Sequence, residues 1–477
     1  MLKEYDIIVI GTGSAMAIVY AMMQDKPDLR VAVIDKDEPG GICLTKGCIP
    51  SKILLYPAEL VRTIERTGMF GIDVAVKKID FAAVMERMRT LINQEIGMIR
   101  ESLFQVKNLD YYADTAKFTA PYMMKVGGET IKSGMIFLCT GSRPLIPAIK
   151  GLKETGYLTS DTVLKLTRLP LSIAVIGGGY IGAEYGHFFS AMGSKVTLIG
   201  RNPQLLPDEE PEISLLLKKE LQGHMTVLTN HEVREAQTTA TGLKKLIAIN
   251  RDNGGKVDVT AEEILVAAGR GPNTDILRPE KGGIRMDENG WIAVNEYMGT
   301  SQPNVWALGD ADGKHPFKHV ANYESQVVFF NAAQKKSVKV DYHAVPHAVF
   351  TYPEVASVGL REKEVLERIG DENLLIGIHR YEDTAKGEAM GLKNYFAKII
   401  VEKDTLRILG AHIIGPQASV LIQEVVNLMY TREQNAEPIL RGMHIHPALS
   451  EVVGKAFDSL MTAEQYHHLM EHHFNLA

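Results

Sequence analysis

The chain has 477 residues, which is too long for one compact core and suggests about three domains. Its hydrophobic fraction of 45% and charged fraction of 23% are those of an ordinary soluble protein. A net charge of −6 gives no electrostatic reason to bind nucleic acid or an acidic membrane surface. We therefore expect small-molecule partners, and neither nucleic acid nor a membrane.

The uncharged stretch at residues 7–23 is the one segment that could pass for a membrane span or an export signal. Gly-Thr-Gly-Ser interrupts its apolar run after four residues, and acidic Glu4 and Asp6 stand where a signal peptide would be basic. The segment is predicted to be a strand, a turn and a helix, and the protein is expected to be cytoplasmic.

The first of these strands opens a nucleotide-binding pattern. The apolar run YDIIVIGTGS ends in Gly11 and Gly13, a helix-like run follows, and a second apolar strand ends on Asp35, 24 residues beyond Gly11. This order is typical of a dinucleotide-binding unit, in which the helix N-terminus meets the pyrophosphate and the acid accepts hydrogen bonds from a ribose. The third glycine position is Met16, which we expect to shift the helix slightly without abolishing binding.

The same order recurs about 165 residues later in LSIAVIGGGYIGAEYGHFFSAMGSKVTLIGR, where Gly177, Gly179 and Gly182 open the helix. Two copies, each in the right context, indicate that the chain binds two dinucleotides. The acid position of the second copy is Gly200, and Arg201 follows it. An arginine can pair with the 2′-phosphate of NADP, so NADPH is favoured, unless Arg201 is only a solvated surface charge.

Three further features complete the pattern along the chain. Residues 80–105 have apolar residues at helical spacing with Asp80 as a plausible N-cap, which predicts a long packing helix. Short strands lead to FLCTGSRP, and a similar run, ILVAAGRGPNT, closes the second unit. From about Val345, strands such as YFAKIIV and LGAHIIG alternate with the helices SVLIQEVVNLMY and LSEVVGKAFDSL, which indicates a separate α+β domain.

Two of the three cysteines, Cys43 and Cys48, stand in GGICLTKGCIPSK with Lys52 close behind. Five steps of extended chain would part their Cα atoms by roughly 16 to 18 Å, whereas a disulfide needs them within about 7 Å. The pair can therefore bond only if LTKG curls the chain. A helix start and a lysine close by would stabilise a thiolate here.

Three interpretations of this pair stay open. A zinc site would need two further ligands at matching spacing, and the third cysteine, Cys139, lies in an apolar strand where a small core residue is expected. An inert disulfide is the second interpretation. A redox pair is the third and is favoured, because stable disulfides in the cytosol are usually catalytic or redox-sensing.

A family resemblance covers essentially the whole chain. It rests on the two nucleotide units, on GGICLTKGCIPSK, on VWALGDADG and on HIHPALSEVV, in that order. Together they resemble the flavoprotein pyridine nucleotide-disulfide oxidoreductases, which include dihydrolipoamide dehydrogenase and glutathione, mycothione and mercuric reductases. The resemblance implies an α/β protein with two Rossmann-like domains, for FAD and NAD(P), and a C-terminal α+β dimerisation domain. It implies these ranges: 1–150 for FAD binding, 151–280 for NAD(P) binding, 281–344 for a return to the FAD-binding or central domain, and 345–477 for dimerisation.

The resemblance also implies roles for single residues. Cys43 would be the interchange thiol that attacks a substrate disulfide, and Cys48 the charge-transfer thiolate facing the flavin. Lys52 and Glu184 match the pair beside the reactive edge of the flavin, and Asp310 matches the aspartate that hydrogen-bonds the FAD ribityl chain. The full set of matches is Gly11, Gly13, Asp35, Lys52, Thr140, Gly141 and Asp310 for FAD, and Gly177, Gly179, Tyr180, Gly182, Arg201 and Gly269 for NAD(P).

The C-terminal motif MHIHPALSEVV contains two histidines. Only His446 is followed by the proline and, five residues on, by the acid, Glu451, that the family's motif shows. An imidazole that titrates near neutrality can take a proton from one thiol and return it to another, and a carboxylate on its far nitrogen fixes the tautomer. His446 is the expected acid/base, and His444 is expected to be a packing or pocket-lining residue. Because His446 is far from Cys43 in sequence, and the family takes this histidine from a partner, we expect an obligate homodimer with shared active sites.

The substrate is less clearly specified. Tyr180 stands where glutathione reductase has a tyrosine lid, and KHVANYE at 318–324, GTGSA and HPALSEVV look like mycothione reductase, while GCIPSK and the overall spacing are equally those of dihydrolipoamide dehydrogenases. We expect an enzyme that acts on a sulfur group and passes two electrons between nicotinamide, FAD, the Cys43–Cys48 pair and a small dithiol or disulfide, as dihydrolipoamide dehydrogenase does. One alternative is an NADPH-dependent reductase of the mycothione or glutathione type. Another is a non-catalytic flavoprotein subunit with a structural disulfide.

The C-terminal tail bears on two further classes. It lacks the cysteine pair of mercuric reductase and of thioredoxin reductases with an extra C-terminal redox pair, which disfavours both. A helix would place His468 and His472 on one face as possible metal ligands, but a solvated helical tail is expected and no metal site is predicted. The tail histidines are His467, His468, His472 and His473.

Overall fold

The computed structural model describes residues 2–473, without the side chain of His473. In this range the chain has a mixed α/β fold with three five-stranded sheets, which agrees with the predicted fold class. Its helices are α1 Met16–Asp25, α2 Gly41–Thr45, α3 Cys48–Glu65, α4 Phe81–Gln105, α5 Leu152–Thr155, α6 Tyr180–Met192, α7 Pro211–Gln222, α8 Lys318–Ala332, α9 Glu362–Ile369, α10 Ala385–Ala389, α11 Ala418–Met429, α12 Glu437–Arg441, α13 Glu451–Asp458 and α14 Ala463–His473.

The strands are short, as is usual for parallel sheets joined by helices. They are β1 Leu2–Glu4, β2 Ile7–Ile10, β3 Val31–Ile34, β4 Leu109–Tyr112, β5 Lys117–Ala120, β6 Met123–Val126, β7 Glu129–Lys132, β8 Ile136–Leu138, β9 Ser142–Pro144, β10 Leu158–Thr159, β11 Ser172–Ile176, β12 Lys195–Ile199, β13 Thr226–Leu228, β14 His231–Thr238, β15 Lys244–Asn250, β16 Lys256–Ala261, β17 Glu263–Val266, β18 Arg270–Pro272, β19 Val305–Ala307, β20 His347–Val349, β21 Val355–Gly359, β22 Leu374–Arg380, β23 Phe396–Glu402 and β24 Ile408–Ile414.

The first sheet has the order β19-β8-β2-β3-β4, with all neighbouring strands parallel. Strands β2, β3 and β8 are buried over their full length, which explains why each is an unbroken apolar run. Strand β19 returns to this sheet from beyond the second nucleotide unit. Ligands of such sheets bind at the carboxyl ends of the strands, where Gly11 and Gly141 follow β2 and β8.

The second sheet repeats this arrangement in the order β10-β17-β11-β12-β13, again with all neighbours parallel. Gly177 follows β11, and Gly269 lies just beyond β17. The two predicted nucleotide units are therefore two parallel sheets, each with a glycine turn at the carboxyl end of its central strand.

The helices after the two turns begin at different positions. Helix α6 begins at Tyr180, whereas α1 begins at Met16, the position that matches Gly182. A Cβ on Gly182 would lie 2.1 Å from the carbonyl oxygen of Gly177, so the tight turn of the second unit has no room for a side chain there. Met16 occupies the matching position in the first unit, where the helix begins two residues later in the pattern.

The third sheet is antiparallel, in the order β20-β21-β24-β23-β22. Helices α11 and α13 pack on it, and these four elements, β23, β24, α11 and α13, match the predicted strands and helices of the C-terminal region. Smaller sheets, β1-β7-β6-β5, β14-β15-β16 and the pair β9-β18, complete the fold.

Two other sequence predictions agree with the structure. The long packing helix is α4, and the Asp80 side chain caps it by accepting a hydrogen bond of 3.1 Å from the Ala83 N–H. Residues 7–23 form β2, a turn and most of α1. No helix within residues 2–473 combines the length and the apolar character that crossing a bilayer requires.

Candidate active site

A large cavity joins the two glycine turns. Its volume is about 2040 Å³, well above the roughly 300 to 1,000 Å³ of a typical small-molecule pocket. Gly182 is not on its wall, because that residue packs α6 against the turn instead. The other predicted cofactor residues do line the cavity: Gly11, Gly13, Asp35, Lys52, Thr140, Gly141, Gly177, Gly179, Tyr180, Arg201, Gly269 and Asp310.

Asp35 holds the first glycine turn in place. Its Oδ2 accepts hydrogen bonds from the Thr12 N–H at 2.9 Å and from the Thr12 hydroxyl at 2.6 Å. Thr12 Oγ1 in turn accepts a bond of 2.9 Å from the Gly40 N–H. The sequence pattern predicts that Asp35 binds a ribose. Through Thr12, Asp35 also links the turn to the segment before the cysteines.

The wall between the turns contains a buried polar atom without a partner. Within residues 2–473, Thr140 Oγ1 makes no hydrogen bond, and leaving a buried polar group unsatisfied costs about 1 to 3 kcal/mol. Nearby, Asp310 accepts a hydrogen bond from the Ser142 hydroxyl. A Cβ on Gly179 would meet nothing within 4 Å, so open space adjoins the second turn. These residues fit a large polar ligand of the dinucleotide type.

The two cysteines lie on the same wall. Helix α2 supplies the curl between them that a bond would require, and Cys48 is the first residue of α3. Both are thiols here, and they are hydrogen-bonded to each other. The hydrogen bond from Cys43, together with the charge of Lys52, lowers the pKa of Cys48 to about 6. The same bond, together with burial, raises the pKa of Cys43, so one sulfur is a thiolate at neutral pH and the other a thiol.

Lys52 lies one helical turn beyond Cys48 and contacts the second nucleotide unit. Its Nζ is 2.8 Å from Oε1 and 2.7 Å from Oε2 of Glu184 on α6. The Phe350 N–H donates to the same carboxylate at 3.0 Å, and Lys52 Nζ lies 4.6 Å from the centre of the Phe350 ring. The sequence does not single out Phe350, because its contribution is a backbone N–H, which does not depend on the side chain, and because it is far from the motifs along the chain.

Tyr180 lies in an aromatic stack. Its ring is 5.5 Å from that of His347 at an interplanar angle of 18°, and 6.4 Å from that of Phe317. His347 is fixed by a contact of 2.6 Å between its Nε2 and Oε1 of the buried Glu209. The stack fixes the orientation of Tyr180 in the cavity, and sequence reasoning did not identify His347 as part of it.

Arg201 lines the cavity and is exposed. Its carbonyl accepts a hydrogen bond of 3.1 Å from the Arg251 guanidinium. Among the described residues no carboxylate lies within 4.0 Å of the Arg201 guanidinium, whereas Arg234 on the same wall pairs with Glu232 at 2.6 Å. Within residues 2–473, Arg201 is therefore a cation on the cavity wall without a counter-ion.

His446 and Glu451 form a pair away from this cavity. His446 Nδ1 lies 3.0 Å from Glu451 Oε1, and Oε2 of Glu451 accepts a bond of 3.1 Å from the Ala448 N–H. The contact with His446 lowers the pKa of Glu451. The His446 side chain is 71% exposed, and neither residue is among those lining the cavity in the described chain. One protomer therefore does not bring His446 to Cys43.

The remaining predicted residues are placed as follows. His444 is half-buried next to Gly454, and its Nε2 lies 3.3 Å from Glu424 Oε1. Cys139 is half-buried on the cavity wall, and burial raises the pKa of its thiol. The rings of His468 and His472 are 4.4 Å apart on one face of α14. The side chain of His473 lies outside the described residues.

Comparisons with known proteins cover nearly the whole chain. Residues 5–327 match the family described as pyridine nucleotide-disulphide oxidoreductase, and residues 345–457 match its dimerisation domain. The mycothione reductase of Mycobacterium tuberculosis is 35% identical over 468 residues, which are 95% of this chain and 99% of the relative. The dihydrolipoyl dehydrogenase of Bacillus subtilis is 32% identical over 476 residues, which are 96% and 98% of the two chains.

A solved structure is also similar over nearly its full length. It is the Cu(II) complex of the HOCl-induced flavoprotein disulfide reductase RclA from Escherichia coli, with a TM-score of 0.84, 25% identity and coverage of 96% of this chain and 99% of that one. The dimerisation-domain match supports a homodimer. The chain belongs to the pyridine nucleotide-disulphide oxidoreductase family, whose members are flavoenzymes that use FAD and NAD(P)H to act on sulfur groups.

Proposed function

We propose that this enzyme exchanges two electrons between NADPH and a small disulfide through FAD and a Cys43–Cys48 redox pair. The observation that carries the proposal is the hydrogen-bonded cysteine pair on the cavity wall, in which the pKa of Cys48 is lowered to about 6. A structural disulfide has no need of a stabilised thiolate beside a lysine. A non-catalytic subunit is therefore the weaker alternative.

The cavity residues divide into two sets. The first glycine turn, Thr140 and Asp310 would hold FAD, and the second turn with Tyr180 and Arg201 would hold the nicotinamide coenzyme. When bound, FAD would accept a hydride from the coenzyme and pass the electron pair to the cysteines. Lys52, held by Glu184, stabilises the negative charge on Cys48 once the disulfide is reduced.

The cysteines then carry the exchange. The Cys43 thiolate attacks one sulfur of the substrate disulfide, so that a mixed disulfide forms and the other substrate sulfur leaves as a thiolate. The Cys48 thiolate attacks the Cys43 sulfur, which restores the Cys43–Cys48 disulfide and releases the second substrate thiolate. Two electrons have then passed from the cysteine pair to the substrate. In reverse, the same steps oxidise a dithiol, as in the dihydrolipoyl dehydrogenases.

A histidine from a second copy of the chain would transfer the protons. In one protomer, His446 is exposed and away from Cys43, and exposed Met443 and Ile445 flank the same segment. We propose that a homodimer places His446 of the partner subunit against Cys43, where its imidazole takes the Cys43 proton and returns it to the leaving thiolate. Glu451 holds the imidazole by its Nδ1 and so leaves Nε2 free for this transfer.

We propose the reductive direction with NADPH, because of Arg201. Its guanidinium is without a counter-ion in the described chain, and a 2′-phosphate would supply one. A low-molecular-weight thiol disulfide is then the expected substrate class. The 35% identity to a mycothione reductase supports this choice, and the dihydrolipoyl dehydrogenases at similar identity keep a lipoyl-type dithiol as the second candidate.

The test is an anaerobic titration with NADPH and, separately, with NADH, followed by the visible spectrum. The proposal predicts a long-wavelength charge-transfer band that grows to two electrons and is absent in Cys48→Ser. NADPH should produce it faster than NADH, and Arg201→Ala should remove that difference. If the flavin bleaches without the band, the cysteines are outside the electron path and the proposed function is wrong.

A further inference from the structure

Helix α8 packs against a short turn that carries Asp310. We call this segment, Gly309–Ala311, the Asp310 turn. It follows β19 at the carboxyl end of the first sheet, and Asp310 lines the cavity where the proposed function places FAD. A Cβ on Gly309 would lie 3.1 Å from the Cβ of Ala321 on α8, so the helix and the turn are in close contact.

A buried glutamate of α8 holds the Asp310 turn by its backbone. Glu324 is 0% exposed, and its Oε2 accepts a hydrogen bond of 2.6 Å from the Gly309 N–H. Its Oε1 accepts a second bond, also of 2.6 Å, from the Tyr342 hydroxyl. The carboxyl group therefore joins the residue before Asp310 to the segment that leads from α8 to the C-terminal sheet.

The start of α8 is tied to the first glycine turn. Lys318, the first residue of the helix, donates a hydrogen bond of 2.8 Å to the Ser14 hydroxyl next to Gly13. That hydroxyl donates in turn to Asn322 Oδ1 at 2.9 Å. One helix therefore contacts both of the turns that the proposed function assigns to FAD, and Glu324 supplies its hydrogen bond to the second of them.

Glu324 contributes hydrogen bonds rather than a fixed charge. Burial, together with the nearby charge of Asp312, raises the pKa of Glu324 to about 7. The carboxyl group is therefore partly protonated at neutral pH, and a protonated carboxyl group still accepts the Gly309 N–H through its carbonyl oxygen. Because a buried N–H that loses its acceptor costs free energy, removing this carboxyl group should release the turn.

We infer that Glu324 is a positioning residue that acts through Asp310, holding the Asp310 turn in the conformation that binds FAD. The inference rests on the placement of FAD in the proposed function. No covalent bond changes in this role. Tyr342 holds one oxygen of the carboxyl group and so orients the other toward Gly309.

The test measures how fast FAD leaves the protein. The FAD-loaded dimer is diluted, and release is followed by the rise in fluorescence of free flavin. Glu324→Leu keeps the approximate size of the side chain but removes both acceptor oxygens. It should release FAD about tenfold to a hundredfold faster than the wild type.

Three matched variants separate the hydrogen bonds from charge and from general stability. Glu324→Gln keeps the length and an acceptor oxygen, and it should release FAD at close to the wild-type rate. Glu324→Asp keeps the acid but is one methylene shorter, so it should release FAD faster than Glu324→Gln. Val401→Ala removes buried volume from the C-terminal sheet, away from the cavity, and should lower the unfolding temperature without changing the rate of FAD release.

A double-mutant cycle tests whether Glu324 acts through Asp310. Asp310→Ala removes the expected FAD contact and should itself speed release. In that background Glu324→Leu should add little, whereas the effects of independent residues would multiply. If Glu324→Leu does not fold, the comparison of Glu324→Asp with Glu324→Gln tests the same prediction.

The outcomes distinguish this inference from the proposed function. An unchanged rate in Glu324→Leu, fast release from Glu324→Gln, or multiplying effects in the double variant would make the inference wrong while leaving the proposed function intact. If Asp310→Ala releases FAD no faster than the wild type, the placement of FAD in the proposed function is wrong and this inference fails with it.

Discussion

Lys398 and Lys52 both pair with glutamates, but Lys398 lies in a closed cluster of three and Lys52 in an open pair with one. Lys398 is the closed case, since its side chain is 0% exposed and its Nζ lies 2.6 Å from both Glu212 and Glu362 and 3.2 Å from Glu210. Glu210 and Glu212 belong to the start of α7, and Glu362 to the start of α9. The cluster therefore ties the second nucleotide unit to the C-terminal region.

Lys52 is the open case. It contacts a single carboxylate, that of Glu184, and its side chain is 35% exposed on the cavity wall. Its charge contributes to the lowered pKa of Cys48. The three glutamates around Lys398 could be taken for a metal site, but the ammonium group already occupies their centre. Ion pairs of the same residue types can therefore have different roles. The buried cluster stabilises the fold, whereas the pair on the cavity wall takes part in the chemistry.

The largest effect is expected at the closed cluster. Lys398→Met leaves three carboxylates without their cation, and breaking a buried ion pair from one side costs about 3 to 5 kcal/mol. Guanidinium unfolding should show this loss as a lower midpoint. The cavity residues are elsewhere, so the protein that remains folded should keep its rate of reduction by NADPH. A loss of rate without a loss of stability would remove the distinction between the two lysines.

Lys52→Met should give the opposite result. The pKa of Cys48 should rise from about 6, and reduction of the cysteine pair by NADPH should slow about tenfold to a hundredfold. Anaerobic stopped-flow measures the rate, and the pH dependence of the charge-transfer band measures the pKa. In the wild type the thiolate is formed above its pKa, so the band should persist as pH falls until about pH 6.

Lys52→Arg is the matched control for that variant. It keeps the positive charge beside Glu184 and should retain most of the rate. The stability loss of Lys52→Met should be smaller than that of Lys398→Met, since the lysine side chain is partly exposed. Equal losses in the two variants would contradict the comparison.

Short-range patterns explain what the sequence could predict. The glycine turns, the Asp80 cap of α4 and the spacing of Cys48 and Lys52 on one helix are all set by residues close together in the chain. The pairing of Lys52 with Glu184, 132 residues away, came only from the family resemblance. Local patterns thus predict elements and turns, but not which elements meet.

The residues that sequence reasoning missed are held by contacts between distant segments. Lys318 reaches Ser14 across 304 residues, and His347 reaches Glu209 across 138. No periodicity relates such positions. Lys398 did leave a signal, because a lone charge inside the apolar run YFAKIIV predicts either an edge strand or a buried partner. The carboxylates that partner it come from other elements and could not be named.

Glu451→Gln tests an open pair at the other end of the chain. The amide no longer stabilises an imidazolium at His446, so kcat for disulfide reduction should fall about tenfold. The amide also no longer presents a carboxylate to Nδ1, so the imidazole loses the partner that fixes its orientation. Stability should change little, since His446 is 71% exposed. An unchanged kcat would show that this carboxylate does not position the histidine.

The smallest effect is expected at a lysine that is neither buried nor on the cavity wall. Lys132 of β7 pairs with Glu4 of β1 at 2.8 Å, with the two side chains 46% and 63% exposed. Exposed pairs contribute less than about 1 kcal/mol, so Lys132→Met should leave both the unfolding midpoint and the rate of reduction by NADPH close to wild type. The same substitution at Lys398, Lys52 and Lys132 then separates the effect of burial on stability from the effect of the cavity-wall charge on the rate of reduction. If Lys132→Met were as destabilising as Lys398→Met, the loss of any lysine charge would matter and the closed cluster would have no special role.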